Sequence, residues 1–185
     1  MKSIDGLMRL SPVIPVLIVD DPAMAQPMAR SLVARGFPVL EVTLRTAAAL
    51  EVIAEMARVE GAIVGAGTVL NPADLDASLK AGAQFIVSPG LTESLTRHAI
   101  RRGVPFLPGV ASAGDIMRGL DLGLDRFKFF PAVAAGGIPA LKALAAPFAQ
   151  CRFCPTGGIT EATAPDWLAL QAVLCVGGSW VAAGL

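Results

Sequence analysis

A chain of 185 residues has room for one domain with a sizeable apolar core and little left over for a second. Lys plus Arg and Asp plus Glu number 15 each, there is no Tyr, and basic residues do not cluster, so nucleic acid and an anionic membrane surface are both poor partners. The hydrophobic fraction of 54% is high, yet no stretch approaches the roughly 20 uninterrupted apolar residues of a spanning helix. A parallel sheet buried on both faces, or an oligomer interface, absorbs such a surplus.

In chain order, Met1 to Asp5 lacks the apolar run of a signal peptide, so a cytoplasmic location is expected. A short helix over Ile4–Leu10 precedes a first strand at Val13–Val19. Asp21-Pro22 is a cap followed by an N1 proline and opens a helix over Pro22–Ala34; Asn71-Pro72 repeats the device for Pro72–Lys80. The remaining strands are predicted at Val39–Leu44, Ala62–Ala66, Gln84–Val87, Phe106–Pro108, Arg126–Phe130, Arg152–Pro155 and Val173–Val176. The remaining helices fall at Ala47–Val59, Glu93–Arg101, Ala113–Leu122, Ile138–Ala145 and Ala162–Leu168. Gly36, Gly61, Gly82, Gly103 and Gly123 each close a helix-like segment and precede a strand, as left-handed C-terminal caps do.

Eight strands alternating with seven helices predict a closed parallel barrel, the (β/α)8 or TIM barrel fold, as a single domain over residues 1–185. A doubly wound open sheet would carry an early glycine-rich dinucleotide fingerprint, and none follows the first strand. No eighth covering helix is predicted between the last strand and Leu185. Three cysteines cannot all pair, which suits a reduced protein. Cys151 and Cys154 lie three apart in a predicted strand and so face opposite ways, which argues against a metal or redox pair.

Barrels of this kind build their sites at the C-terminal ends of the strands. There the second strand carries Glu41, Thr43 and Arg45 at spacings of two, hence on one face. The sixth carries Lys128 within Phe127-Lys128-Phe129-Phe130-Pro131. Burial and a nearby cation would free such a lysine as a nucleophile toward a carbonyl; the alternative is a lysine that snorkels to solvent. Gly65 to Thr68, Thr156-Gly157-Gly158 and Gly177-Gly178-Ser179 read as anion-binding turns, the last two where barrels commonly hold a phosphate. Ser88-Pro89 and Pro108-Gly109 look like pocket walls. His98, the only histidine, is expected on an exposed helix face, Ser179 has no histidine to activate it, and no cluster suited to a metal is visible.

The segments Pro12–Val16, Leu40–Thr46, Gly65–Asn71, Ser88–Glu93, Phe127–Ala132, Cys154–Ile159 and Gly177–Trp180 resemble, in order, those of the 2-keto-3-deoxy-6-phosphogluconate (KDPG) aldolases, including members that cleave 4-hydroxy-2-oxoglutarate. The resemblance implies a class I aldolase with no cofactor other than a covalent imine on Lys128. Glu41 would be its general acid and base. Arg45, Thr68, Pro89 and Thr156 would hold the keto-acid carboxylate, with Phe130 packing nearby. Gly157, Gly158, Gly177, Gly178 and Ser179 would bind the 6-phosphate. The implied partners are a small phosphorylated 2-keto acid, pyruvate, and two further copies of the chain in a homotrimer.

Val133, where an acidic residue is expected from the resemblance, and the bland Ala47-Ala48-Ala49, Ala134-Ala135 and Gln171-Ala172 depart from the family pattern. They motivate a second reading: a trimeric building block with a redesigned hydrophobic surface that assembles further. A third reading, a phosphate-binding isomerase or epimerase, would use the same glycine turns without needing Lys128.

Overall fold

The computed structural model describes residues 3–185 as nine strands and eight α-helices in alternation. The strands are β1 (Val13–Leu17), β2 (Val39–Thr43), β3 (Ile63–Gly67), β4 (Phe85–Val87), β5 (Phe106–Leu107), β6 (Gly109–Val110), β7 (Arg126–Phe129), β8 (Arg152–Pro155) and β9 (Val176–Gly178). The helices are α1 (Ile4–Met8), α2 (Ala25–Ala34), α3 (Ala49–Met56), α4 (Pro72–Ala81), α5 (Glu93–Arg102), α6 (Ala113–Asp121), α7 (Gly137–Ala145) and α8 (Ala164–Leu168). The last element is a 3-10 turn over Trp180–Ala182.

All strand pairs are parallel, in two sheets with orders β5-β4-β3-β2-β1-β9 and β6-β7-β8. Isolated parallel bridges Phe153–Val173 and Thr156–Gly177 link β8 to the β9 segment. Between the bridges two residues of β8, Cys154 and Pro155, face three of the other segment, Leu174, Cys175 and Val176, so the segment leading into β9 bulges. The expected fifth strand is split: Pro108 separates β5 from β6, and the proline nitrogen has no proton to give a ladder. The helix expected from Pro22 opens as a 3-10 turn, Pro22–Met24, before α2.

All five punctuating glycines have positive φ, and Gly82 and Gly103 cap α4 and α5 directly. Apolar residues divide into three clusters. Two lie between strands and helices, one around Leu40, Val42, Val64 and Ile86, the other around Phe127, Phe129, Phe153 and Trp167. The third joins Ile14, Val39, Phe85, Val87, Leu107, Cys154 and Cys175 on the inner strand faces to Leu7 and Met8 of α1. The short first helix therefore plugs the interior from the N-terminal ends of the strands, leaving the opposite ends for the site.

Candidate active site

Lys128 and Glu41 meet inside this interior. Lys128 Nζ donates to Glu41 Oε1 at 3.1 Å, and the two residues are only 5% and 3% exposed. The lysine does not snorkel. Alternation along β7 sends Phe127 and Phe129 outward into the helix-facing cluster, so they flank Lys128 in sequence without surrounding it. Of the three phenylalanines, Phe130 meets it: the ammonium lies 5.1 Å from that ring centroid. A carboxylate and an aromatic face thus compensate a cation taken out of water.

The neighbours of Lys128 in the sheet are Gly109 of β6 and Cys154 of β8. A Cβ on Gly109 would overlap the Pro89 carbonyl, so this glycine admits the Ser88-Pro89 segment to the wall beside Lys128. Ser88, fully buried, donates its hydroxyl to the Gly90 carbonyl at 2.6 Å and holds the loop in shape. Thr156 is buried at the end of β8, its hydroxyl 3.4 Å from the Cys154 carbonyl and 3.8 Å from the Cys154 thiol.

Two expectations need correction, those for Arg45 and His98. Arg45 is not on the strand: β2 ends at Thr43, and Arg45 lies exposed in the turn that follows, with no hydrogen bond or ion pair among the described residues. It therefore stands at the rim, above Glu41 and not in line with it. Thr43 gives its hydroxyl to the Leu17 carbonyl at 2.9 Å, a structural tie between β2 and β1. His98 is half-buried instead of exposed, with Nε2 3.0 Å from an Asp76 carboxylate oxygen that Arg102 also approaches at 3.2 Å. That cluster joins α5 to α4, away from the strand ends.

The glycine segments also differ from simple turns. Gly65 and Gly67 lie within β3, where added Cβ atoms would overlap the Phe85 ring and the Glu41 carboxylate. Gly177 and Gly178 lie within β9, against Thr156 and the Trp180 ring. Gly157 and Gly158 do form a loop, with φ of 104° and 78°. Ala132 N and Val133 N donate to the Thr156 and Gly157 carbonyls at 2.8 and 3.1 Å, fastening the loop after Lys128 to this glycine turn. Val133 stands over Gly158, where a Cβ would overlap it, yet remains 50% exposed. Ser179 is exposed beside them. Thr68, half-buried after β3, has φ of 58°, a left-handed conformation costly for a β-branched residue and of the kind that gathers at functional sites.

All three cysteines are buried. Burial holds the Cys151 thiol above its usual range; Cys175 is held well above it by a hydrogen bond with Cys154 and by burial. Cys154 and Cys175 share the inner apolar cluster, while Cys151 lies in the helix-facing one. Among the described residues no three His, Cys, Asp or Glu side chains gather as a metal site would need. A cleft of about 530 Å³ between α7 and α8 lies at the other ends of the strands. Its Arg152 is committed to the Ala149 and Cys151 carbonyls, and Lys142 is the other cation that lines it.

A buried amine touching a carboxylate, at the C-terminal ends of parallel strands and beside a glycine loop, is the equipment of a Schiff-base lyase. The family model for KDPG and KHG aldolase matches residues 4–184. The 2-dehydro-3-deoxy-phosphogluconate aldolase of Zymomonas mobilis is 60% identical over 98% of this chain and 87% of its own length. The crystal structure of the 2-keto-3-deoxy-6-phosphogluconate aldolase of Zymomonas mobilis ZM4 with 3-phosphoglycerate superposes with a TM-score of 0.94, over 96% of this chain and 85% of that one. The KHG/KDPG aldolase of Escherichia coli is 53% identical, covering 97% of this chain and 84% of its own. The Legionella pneumophila KDPG aldolase, solved with pyruvate captured at low pH as a covalent carbinolamine intermediate, is 44% identical, with a TM-score of 0.94 over 97% of this chain and 87% of that one. The chain belongs to the KDPG and KHG aldolase family.

Proposed function

We propose that this chain is a metal-independent class I aldolase that cleaves 2-keto-3-deoxy-6-phosphogluconate to pyruvate and glyceraldehyde 3-phosphate, and that it also accepts 4-hydroxy-2-oxoglutarate. The observation that carries the reading is the buried contact of Lys128 with Glu41, in a family with a member captured with covalently bound pyruvate.

Glu41, at 3.1 Å, is placed to take a proton from Lys128 and leave a free amine. The amine adds to the C2 ketone to give a carbinolamine; Glu41 then returns its proton to the carbinolamine hydroxyl, which leaves as water, giving a protonated imine and restoring the carboxylate. Glu41 next removes the C4 hydroxyl proton. The C3–C4 bonding pair moves toward the imine nitrogen, releasing the aldehyde and leaving an enamine. Protonation at C3 and addition of water return pyruvate and the amine.

In this reading Arg45 reaches in from the rim to pair with the C1 carboxylate, with Thr68, Pro89 and Thr156 around the same group. Phe130 packs against Lys128 and the substrate. The Gly157-Gly158 loop, with Gly177, Gly178 and Ser179, takes the 6-phosphate through backbone N–H groups. The two sheets are taken as parts of one closed (β/α)8 barrel, β5 and β6 being one stave broken at Pro108. The bridges from β8 to β9 support that closure. The chain works as a single domain over 1–185, in the cytoplasm, as a homotrimer. Exposed Ile18 (53%) and Leu70 (59%) are apolar surface suited to contact between copies.

The test is a pyruvate-release assay on both substrates, with Lys128→Met as control. Pyruvate from the wild type and none from the variant is expected; folded wild type that releases none from either substrate contradicts the reading.

A further inference from the structure

Gly67 ends β3 as the register partner of Thr43, one inward step above the Glu41–Gly65 pair. A Cβ built on it would overlap Glu41 Oε1 and stand 2.7 Å from Cγ and 2.8 Å from Cδ; these are its three nearest atoms. Oε1 is the oxygen that accepts from Lys128 Nζ. The φ of Gly67 is not in the left-handed region, so the backbone there suits any L-residue. The three nearest atoms that a side chain would meet all belong to Glu41.

Glu41 has no easy retreat. It is 3% exposed, and its strand is buried along its whole length. A methyl group at position 67 must displace the carboxylate, because a close-packed interior leaves no second place for it. The neighbouring inward glycine, Gly65, makes room in the same way for the Phe85 ring, a packing group. At Gly67 the occupant of the vacated space is the group that faces the reactive amine.

We propose that Gly67 is a positioning residue: the space left by its missing side chain is the slot that seats the Glu41 carboxylate against Lys128. The proposal rests on the aldolase reading above. It also gives Gly67 a different task from the anion-binding turn suggested by Gly65-Ala66-Gly67-Thr68, since it lies in the strand and its vacancy is filled.

The test compares wild type, Gly67→Ala, Glu41→Ala and the double variant in kcat, KM and Tm. Gly67→Ala is expected to lose about 10²-fold or more in kcat, the size of a general acid–base contribution, with a smaller change in KM. Imine trapping on Lys128 with pyruvate and borohydride should persist. With Glu41 already removed, Gly67→Ala should change kcat by no more than about twofold and leave Tm near that of Glu41→Ala, because the overlapping group has gone. Wild-type kcat in Gly67→Ala overturns the proposal. So does an equal loss of Tm in both backgrounds, which would mean that the glycine is needed for its own sake. If Gly67→Ala alone does not fold, the double variant decides: folding like Glu41→Ala supports the slot, and failure to fold overturns it. Failure of the aldolase reading itself would appear separately, as wild type without pyruvate release.

Discussion

Lys128 and Glu41 hold each other in place as much as they do chemistry. Each is nearly inaccessible to water, so removing either leaves an unpaired ion in the interior, a loss of about 3–5 kcal/mol when a buried pair is broken. Glu41→Gln keeps the shape and removes the base. Its kcat should fall by about 10²- to 10⁴-fold while pyruvate still forms a trappable imine on Lys128. Unchanged kcat would deprive Glu41 of its assigned role. Both residues were legible in the sequence as charged groups on apolar strands. Their contact was not, because it joins positions 87 apart whose meeting depends on β2 and β7 facing one interior. Arg45 shows where the period of two stops: the rule holds only while the chain is a strand, and β2 ends at Thr43. The task proposed for Gly67 had a faint signal, two glycines at inward spacing on β3, but its pairing with Glu41 depends on how β2 and β3 align.

At the scale of elements, short-range chemistry decided where strands and helices begin and end. α6 is held by a capping box. Ser112 Oγ accepts from Asp115 N at 3.2 Å, and the Asp115 carboxylate accepts from Ser112 N at 3.0 Å and Ala111 N at 3.1 Å. Ser112→Ala should cost about 1 kcal/mol, seen as a lower urea midpoint with unchanged slope. Burial pushes the Asp115 carboxyl upward, but the bonds from Ala111 N and Ser112, with the Arg118 charge, outweigh it and hold the group below its usual value. The folded state therefore favours the ionised form. Its contribution is present above the ordinary carboxylate pKa of about 3.9 and is lost as pH falls through that value toward the lower folded one. Asp115→Asn should accordingly destabilise less at pH 3 than at pH 7 in thermal melts; an equal effect would contradict this. Proline and glycine punctuation made most of these boundaries readable. The split at Pro108 and the β9 bulge were less so, because both depend on which neighbouring strand supplies the partner.

For the whole molecule, the alternation of parallel strands and helices was legible because its punctuation repeats. Surface behaviour was less so: Val133 lies over Gly158 but stays 50% exposed, so its neighbour in the chain fold does not account for its apolar side chain. The proposed trimer predicts a solution mass three times the 19.0 kDa of one chain by light scattering; a monomer would contradict it, and a much larger particle would revive the building-block reading. Catalysis by imine formation is the claim on which the rest depends, and borohydride reduction with pyruvate, followed by peptide mass mapping, tests it most directly. The expected result is one reduced pyruvate adduct per chain, on the peptide carrying Lys128; folded protein without that adduct, or with it on Lys80 or Lys142, would contradict the mechanism.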